Sequence, residues 1–299
     1  GWRDTMGRAL LALAGAVISA IGGTAAVQAQ LNASAPIVTD RPGNGNAALT
    51  VPQLSLQLET SISYAHDRTA GIDTHLLNLP TALRFGALSW LELRLLSGLV
   101  GMAKVEDVDA EWEATDLAVG TKLSLLRQDG AQPDLAFSGD IFLPTGTGLF
   151  DGGAVMPELR LLAAWGLPKG FGLLFNLGTD IPDDAEGRFA RLLYVANLGY
   201  VIPGTGSRLS AFVEGYGRIA FADGRPDIVQ IDLGAAFLLS PTLQFDLFTQ
   251  HGLKDGTPDF QVAVGFSGRF FGRSAAQAQR SAPGIQSAAR SSGGRTQAL

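Results

Sequence analysis

The sequence predicts an all-β chain, a transmembrane antiparallel up-and-down β-barrel of about 12 strands. Apolar residues make up 46% of the chain and charged residues only 17%. No stretch after the first 29 residues is long and apolar enough for a spanning helix. Segments of about ten residues alternate apolar and polar side chains through most of the chain, which is typical of strands that cross a bilayer. Because a bilayer leaves every backbone polar group to be satisfied within the protein, a closed barrel is the solution that remains.

The amino terminus is predicted to be a secretory signal over residues 1–29. Arg3 and Arg8 precede an apolar run over residues 9–21, and small residues follow at the positions required for cleavage after Ala29. The alternative is a membrane anchor, but a spanning helix needs roughly 20 apolar residues. We therefore expect an exported protein.

Residues 30–53 form the next segment, which is rich in Asn, Ala, Pro and Gly and shows no periodicity. This composition predicts an irregular lead-in to the barrel. Two positions are open for it. It folds into the lumen as a plug, with Asp40 and Arg41 paired to wall charges, or it forms a periplasmic tether outside the lumen.

The clearest strands form a hairpin over residues 74–98. Apolar side chains alternate with a second face that includes Arg84 on the first arm and Glu92 and Arg94 on the second. Leucines that face outward around charges in a concave interior are typical of a transmembrane strand. A soluble sandwich shows the same alternation, so the other segments have to decide.

Alternating segments recur over residues 54–271, which we predict to be the barrel. Short turn-rich links alternate with longer connections, of which residues 65–73 and 99–115 are the first two. Barrels of the outer membrane have short periplasmic turns and long external loops, so this sorting favours a barrel over a sandwich. Besides the hairpin, the expected strands are 54–64, 116–126, 134–143, 156–166, 171–179, 189–201, 208–217, 228–239, 243–251 and 259–270.

The last predicted strand ends on Phe270 and Phe271. An aromatic ending resembles the carboxy-terminal signal that the barrel-assembly machinery recognises. Residues 272–299 continue as a tail rich in Ser, Ala, Gly, Gln and Arg, which cannot bury enough apolar surface to fold. We expect a disordered extension; binding of its arginines to an anionic wall polymer is the alternative.

The alternation assigns a nearly balanced set of charged side chains to the lumen. A barrel of about twelve strands lies between small filled barrels and wide aqueous pores, so opposite charges would pair across it. One interpretation is that the pairs only satisfy buried polar groups. The other is that they form a constriction that selects solutes by size and polarity. The predicted lumen residues are Glu59, Arg84, Glu92, Arg94, Lys122, Asp140, Glu158, Arg160, Arg191, Glu214, Asp232, Asp246 and Arg269.

Apolar side chains are interleaved with these charges on the predicted inner face. A general porin lumen is more uniformly polar, so apolar patches favour an aromatic or amphipathic solute over a sugar. A reversed register in strand 208–217 would remove two of them. The eight residues are Leu96, Phe142, Leu162, Leu174, Leu193, Phe212, Tyr216 and Phe248.

Two rival classes of function are weighed against a channel. An enzyme acting on lipid would need a nucleophile beside a base; His66, His75 and His251 are expected at the external rim, where they could serve Thr74 or Thr249. We expect no catalytic residue, because interfacial histidines without chemistry are far commoner. The second rival is a closed structural or adhesive barrel.

Other features exclude common ligands. The acidic stretches 106–113 and 180–186 lack the spacing of a calcium loop. We interpret them as ordinary solvated loops, with a metal-bridged surface near lipopolysaccharide phosphates as the alternative, and we expect no bound metal and no cofactor. A net charge of −6 with scattered basic residues argues against a nucleic-acid partner.

Several short motifs then resemble a known family. They are Thr39-Asp40-Arg41-Pro42; Asn78-Leu79-Pro80-Thr81 with Arg84-Phe85-Gly86 and Glu92-Leu93-Arg94; and Pro144-Thr145-Gly146. In order and spacing they resemble the MetA-pathway phenol-degradation family of outer-membrane transporters, over most of residues 38–271. The resemblance implies a barrel in the outer membrane of a Gram-negative bacterium that passes small aromatic compounds, and the apolar residues of the lumen add amphipathic solutes to this expectation. Its expected partners are outer-membrane lipid and lipopolysaccharide, the barrel-assembly machinery and the solute. It implies no catalytic or binding residues.

Overall fold

The computed structural model describes residues 35–69, 71–105 and 110–271. The signal predicted for residues 1–29 and the tail predicted for residues 272–299 lie outside them. In the part of the chain that is described, no helix has the length and apolarity needed to cross a membrane.

The described chain is almost entirely strand after residue 54. Two single turns of 3₁₀ helix lie in connections, at Gly148–Phe150 and Pro168–Gly170. The strands are β1 (Ser55–Thr69), β2 (Ile72–Asn78), β3 (Thr81–Gly86), β4 (Leu91–Ser97), β5 (Val100–Val105), β6 (Glu111–Ala114), β7 (Leu117–Leu126), β8 (Asp134–Leu143), β9 (Met156–Gly166), β10 (Phe171–Asp180), β11 (Arg191–Val201), β12 (Leu209–Ala220), β13 (Ile228–Ser240), β14 (Leu243–Gly252) and β15 (Phe260–Phe271).

All pairings are antiparallel, and the sheet closes where β15 pairs with β1, from Ser55 opposite Phe271 to His66 opposite Phe260. β1 pairs with both β2 and β3. β2 pairs in turn with β5, and β5 with β6. β3 pairs with β4, and β4 with β7. The pairs β2/β3, β4/β5 and β6/β7 are therefore three wall strands, each interrupted once. The fifteen segments make twelve wall strands, and the predicted up-and-down barrel is confirmed.

The interruptions have local causes. Pro80, between β2 and β3, has no N–H to give to the ladder. Leu99, between β4 and β5, has a φ of 54°, in the left-handed region that a strand does not use. The first arm of the predicted hairpin is consequently two strands and not one.

Two connections predicted as long loops are wrong. Residues 65–69 extend β1, residues 72–73 begin β2, and residues 99–115 contain β5 and β6. In residues 65–69 the alternation stops because polar residues occupy both faces, as in His66, Asp67 and Arg68. β5 and β6 are only six and four residues long, too short for a period to be recognised. A strand that projects beyond the apolar zone is wetted on both sides and needs no apolar face. The wall is thus taller at β1, β2, β5 and β6.

The two faces of the wall differ as predicted for a barrel in lipid. On β14, Asp246 and Phe248 are buried, whereas Phe245 and Leu247, which alternate with them, are exposed. The same alternation recurs around the barrel and gives an apolar outer band. Its exposed members include Ile62, Leu83, Leu93, Val119, Ile141, Leu161, Phe175, Leu177, Leu198, Val213, Leu233 and Val264.

Candidate functional site in the barrel lumen

Residues 35–53, which we name the inner segment, cross the inside of the barrel. The segment enters at the end with the short turns, where Ile37 N donates to Pro241 O at 2.7 Å. It leaves at the same end, where Leu54 N donates to Gly86 O at 2.7 Å. Of the two expected positions for the lead-in, the described residues occupy the lumen. Side chains from β1, β3, β4, β7, β9, β10, β12, β13, β14 and β15 hold it.

The carboxylate of Asp40 sits among three wall cations. Lys122 Nζ donates to Asp40 Oδ1 at 2.8 Å and to Oδ2 at 2.9 Å. Arg94 and Arg84 lie 3.3 and 3.6 Å from the same carboxylate. Burial alone would raise the pKa of Asp40, but Arg84, Lys122 and Arg94 outweigh it and hold the pKa below its usual range. Asp40 is therefore ionised in the lumen.

Arg84 joins this cluster to two wall carboxylates. Its guanidinium donates to Glu59 Oε1 at 2.5 Å and to the two oxygens of Glu92 at 2.8 and 2.9 Å. The inner segment adds to both carboxylates, since Asp40 N donates to Glu59 Oε2 at 3.0 Å and Val51 N to Glu92 Oε2 at 2.8 Å. These three wall side chains are fully buried, so the network meets the requirement that buried charges be paired and hydrogen-bonded.

The opposite wall holds the tip of the inner segment with two carboxylates. Glu214 and Asp232 face each other across β12 and β13. Asn44 N donates to Glu214 at 2.6 Å, Asn44 Nδ2 to Asp232 at 3.0 Å and Gly45 N to Glu214 at 3.3 Å. A Cβ on Gly45 would come within 2.7 Å of Leu174 Cδ2 and 2.9 Å of Glu214 Oε2, so a larger residue would require these side chains to shift.

Further contacts fix the rest of the segment. Arg41 pairs with Asp246 at 3.1 Å. Asn46 exchanges two hydrogen bonds with the Asn176 amide, at 2.7 and 3.0 Å. At the entry, Arg269 donates to Ala35 O at 2.6 Å.

A second network lies nearer the long loops and is centred on Arg218. Its guanidinium donates to Glu158 at 2.8 Å and also contacts Asp180 and the Tyr216 hydroxyl. Arg191 donates two hydrogen bonds to the carboxylate of Asp180, from Nε to Oδ1 at 2.9 Å and from Nη2 to Oδ2 at 2.6 Å. The predicted lumen set lacks Arg218 and Asp180, because the predicted strand 208–217 ends three residues before Ala220 and Asp180 falls in a predicted acidic loop. The two-residue period from Glu214 through Tyr216 would have identified Arg218.

The predicted lumen residues are all buried except Arg191, which is half-buried. Arg94 pairs with Asp140 at 3.3 Å and Arg160 with Glu158 at 2.6 Å. Four of the eight predicted inner-facing apolar residues belong to two patches. Leu162 packs with Ala48 of the inner segment and with Ala136. The larger patch consists of Leu193, Val195 and Tyr216, with Leu174 and Ile228 packed against it.

The three histidines lie on the outer face near the long loops. His66 Nε2 is 3.0 Å from Asp73 Oδ1, the His66 and His75 rings are 5.0 Å apart, and His251 lies against Phe260. The Thr249 hydroxyl donates to a backbone carbonyl. Among the described residues, no group of three His, Cys, Asp or Glu side chains is arranged to hold a metal ion.

Comparison with known proteins places this geometry in a family. No curated protein sequence is detectably similar to the chain. An outer membrane channel from Pseudomonas putida F1 has a TM-score of 0.55 at 14% identity, covering 77% of this chain and 99% of that one. The translocator domain of the autotransporter NalP from Neisseria meningitidis has a TM-score of 0.47 at 14% identity, covering 90% and 96%. The monoaromatic hydrocarbon channel CymD has a TM-score of 0.39 at 8% identity, covering 73% and 88%.

The similarity to the Pseudomonas channel shows that the barrel fold is shared. The family described as "Putative MetA-pathway of phenol degradation" matches residues 39–270, a span that includes most of the inner segment and nearly the whole wall. The chain therefore belongs to that family, and its fold is that of an outer-membrane β-barrel.

Proposed function

We propose that the protein is an outer-membrane channel of a Gram-negative bacterium that passes small aromatic or amphipathic solutes, and that the inner segment closes its lumen at the end with the short turns. Export by the predicted signal is part of the proposal. Family membership supports it, as does the solved channel that shares the fold. Side chains alone fill a barrel of eight strands, and twelve leave space beyond that.

The observation that carries the proposal is how the inner segment is held. Between residues 38 and 52, its described polar contacts with the wall are ion pairs and hydrogen bonds that involve side chains, and its apolar contact is the packing of Ala48 on Ala136 and Leu162. Its backbone bonds to the wall backbone are at the two ends, to Pro241 and Gly86. The segment can therefore leave without breaking the ladder of any wall strand, which a structural element of the wall could not do.

In the open state, charges of both signs and apolar patches would line the passage together. The thirteen predicted lumen residues, joined by Arg218 and Asp180, act as a constriction in this proposal. The apolar patch at Leu193 and Tyr216 offers a surface for an aromatic ring, whereas a sugar would find few partners there.

Single-channel conductance in a planar bilayer tests the proposal. The refolded mature protein is compared with a variant that lacks residues 30–52, and circular dichroism establishes that both are folded. We expect brief openings of the intact protein, steady conductance of the shortened one, and block of the current by small aromatic acids. Silence of both folded forms would refute the channel and favour a closed structural barrel.

A further inference from the structure

We propose that Lys122 and Ser138 form a binding site for the carboxylate of a small amphipathic anion, and that such a solute opens the lumen by taking the place of Asp40. The inference rests on the proposed channel function and specifies its solute class and its gating.

Lys122 differs from the other cations of the cluster in its partners. All three of its hydrogen bonds go to the inner segment: two to the carboxylate of Asp40 and one, at 2.9 Å, to Ala47 O. Arg84 and Arg94 also have carboxylates of the wall, which include Glu92 and Asp140. Departure of the inner segment leaves those wall pairs in place, whereas the fully buried ammonium of Lys122 loses every hydrogen-bond partner that the described residues give it. The nearest wall carboxylate is then Glu92, which lies opposite Lys122 on β4 and is already bound by Arg84.

Ser138 supplies a second donor at the same place. It lies directly opposite Lys122 in the pairing of β7 with β8, where facing side chains are about 5 Å apart. It is 1% exposed, and its hydroxyl has no hydrogen-bond partner among the described residues. An ammonium and a hydroxyl side by side match the two oxygens of one carboxylate. Asp40 uses the ammonium and leaves the hydroxyl unused.

An apolar surface formed by Ala136 and Leu162, which we call the floor, adjoins these two donors. Ala136 precedes Ser138 by two residues on the same face and is fully buried. It packs with Leu162 and with Ala48 of the inner segment, and Ala47 N is bonded to Asp40 at 2.9 Å. The segment thus presents a carboxylate to Lys122 and methyl groups to the floor. A solute with a carboxylate on an apolar body repeats this pattern.

The replacement of the Asp40 carboxylate by a solute is selective for anions because of charge. A monoanion that replaces Asp40 leaves the net charge around Lys122 unchanged. A neutral or cationic solute of the same shape would leave the buried ammonium without a hydrogen-bonded anion and dependent on Glu92, which Arg84 already binds, and this is costly. Opening should therefore follow the anion and not the aromatic ring alone.

The test uses the full-length protein with one reporter cysteine. The chain has no cysteine, and Thr50→Cys is nearly isosteric at a position that is 5% exposed. The rate of maleimide labelling then reports how often the segment leaves the lumen. We expect benzoate to speed labelling about tenfold, a change of about 1.4 kcal/mol in docking, whereas benzyl alcohol and benzylamine leave the rate unchanged.

Variants locate the effect on the proposed site. Lys122→Gln should label faster without solute and lose the response to benzoate, Lys122→Arg should retain the response, and Ser138→Ala should weaken it. Lys104→Gln, which removes an exposed lysine of β5, is the matched control and should respond as the unaltered chain does.

Two results overturn the inference. Equal acceleration by benzoate and benzyl alcohol would show that the ring and not the charge displaces the segment, and this comparison needs no variant. An absence of acceleration in a protein whose shortened form conducts would reject the anion site while leaving the channel function standing. Silence in the conductance test would reject the channel itself.

Discussion

Replacing Asp40 by Asn tests whether charge holds the inner segment in the lumen. The carboxylate accepts two hydrogen bonds from Lys122 and lies within 3.6 Å of two arginines. Asn preserves the size of the side chain and the bond from Ala47 N, but it removes the charge. Breaking a buried ion pair on one side costs about 3 to 5 kcal/mol. We take about 3 kcal/mol for docking, because the amide oxygen still accepts one bond, and this raises the undocked fraction about 100-fold.

The labelling rate of Thr50→Cys measures this fraction, provided that the segment docks and undocks faster than the thiol reacts. We expect labelling of the Asp40→Asn variant to be about 100-fold faster than in the parent. Asp129→Asn makes the same chemical change at an exposed turn and should have no effect. A rate for Asp40→Asn within about threefold of the parent would show that the ion pairs do not hold the segment.

Three further predictions follow from the same contacts. Gly45→Ala should raise the labelling rate about tenfold, because its Cβ would meet Leu174 and Glu214 and overpacking costs about 1 to 3 kcal/mol; Gly215→Ala, which has open space at the Cβ, is the control. Arg218→Met should lower the urea midpoint of unfolding, because it leaves Glu158 and Asp180 short of a partner, at a cost of about 3 kcal/mol; an unchanged midpoint would contradict the role of this network. Because the pKa of Asp40 is lowered in the docked state, its contribution to docking is complete above its ordinary pKa of 3.8 and is lost as the pH falls further. The conductance of the Asp40→Asn variant divided by that of the parent should accordingly be the same at pH 7 and at pH 5. A smaller ratio at pH 5 than at pH 7 would refute this linkage.

The wall was predictable because a strand in a barrel has one apolar and one polar face. The two-residue period gave the bounds of β9 as the structure has them and those of most other strands to within two residues. It failed where the chain leaves the apolar zone. The extension at residues 65–69 carries polar residues on both faces, and β5 and β6 are only six and four residues long, so no period distinguished them from loops.

The site was predictable in its members and not in its connections. Alternation assigned Lys122 and Asp140 to the interior, but no period states which charge meets which. The inner segment has no periodicity at all, and its place in the lumen depends on Asp40, Arg41 and Asn44 finding partners more than 80 residues away in the chain. Such contacts are set by the closed barrel, which brings all its strands around one space.

The two ends of the inner segment lie at the same rim of the barrel, and this affects the solute concentration that is needed to displace the segment. The segment leaves as a loop that stays joined to β1 at Leu54 and Ser55, so it remains at an effective concentration on the order of millimolar beside its own site. A solute that binds as tightly as the segment must therefore reach a similar concentration to displace it, and a solute that binds more weakly must exceed that concentration. The channel would then be closed at trace concentrations of solute, would conduct when the external solute is abundant, and would close again as the solute concentration falls.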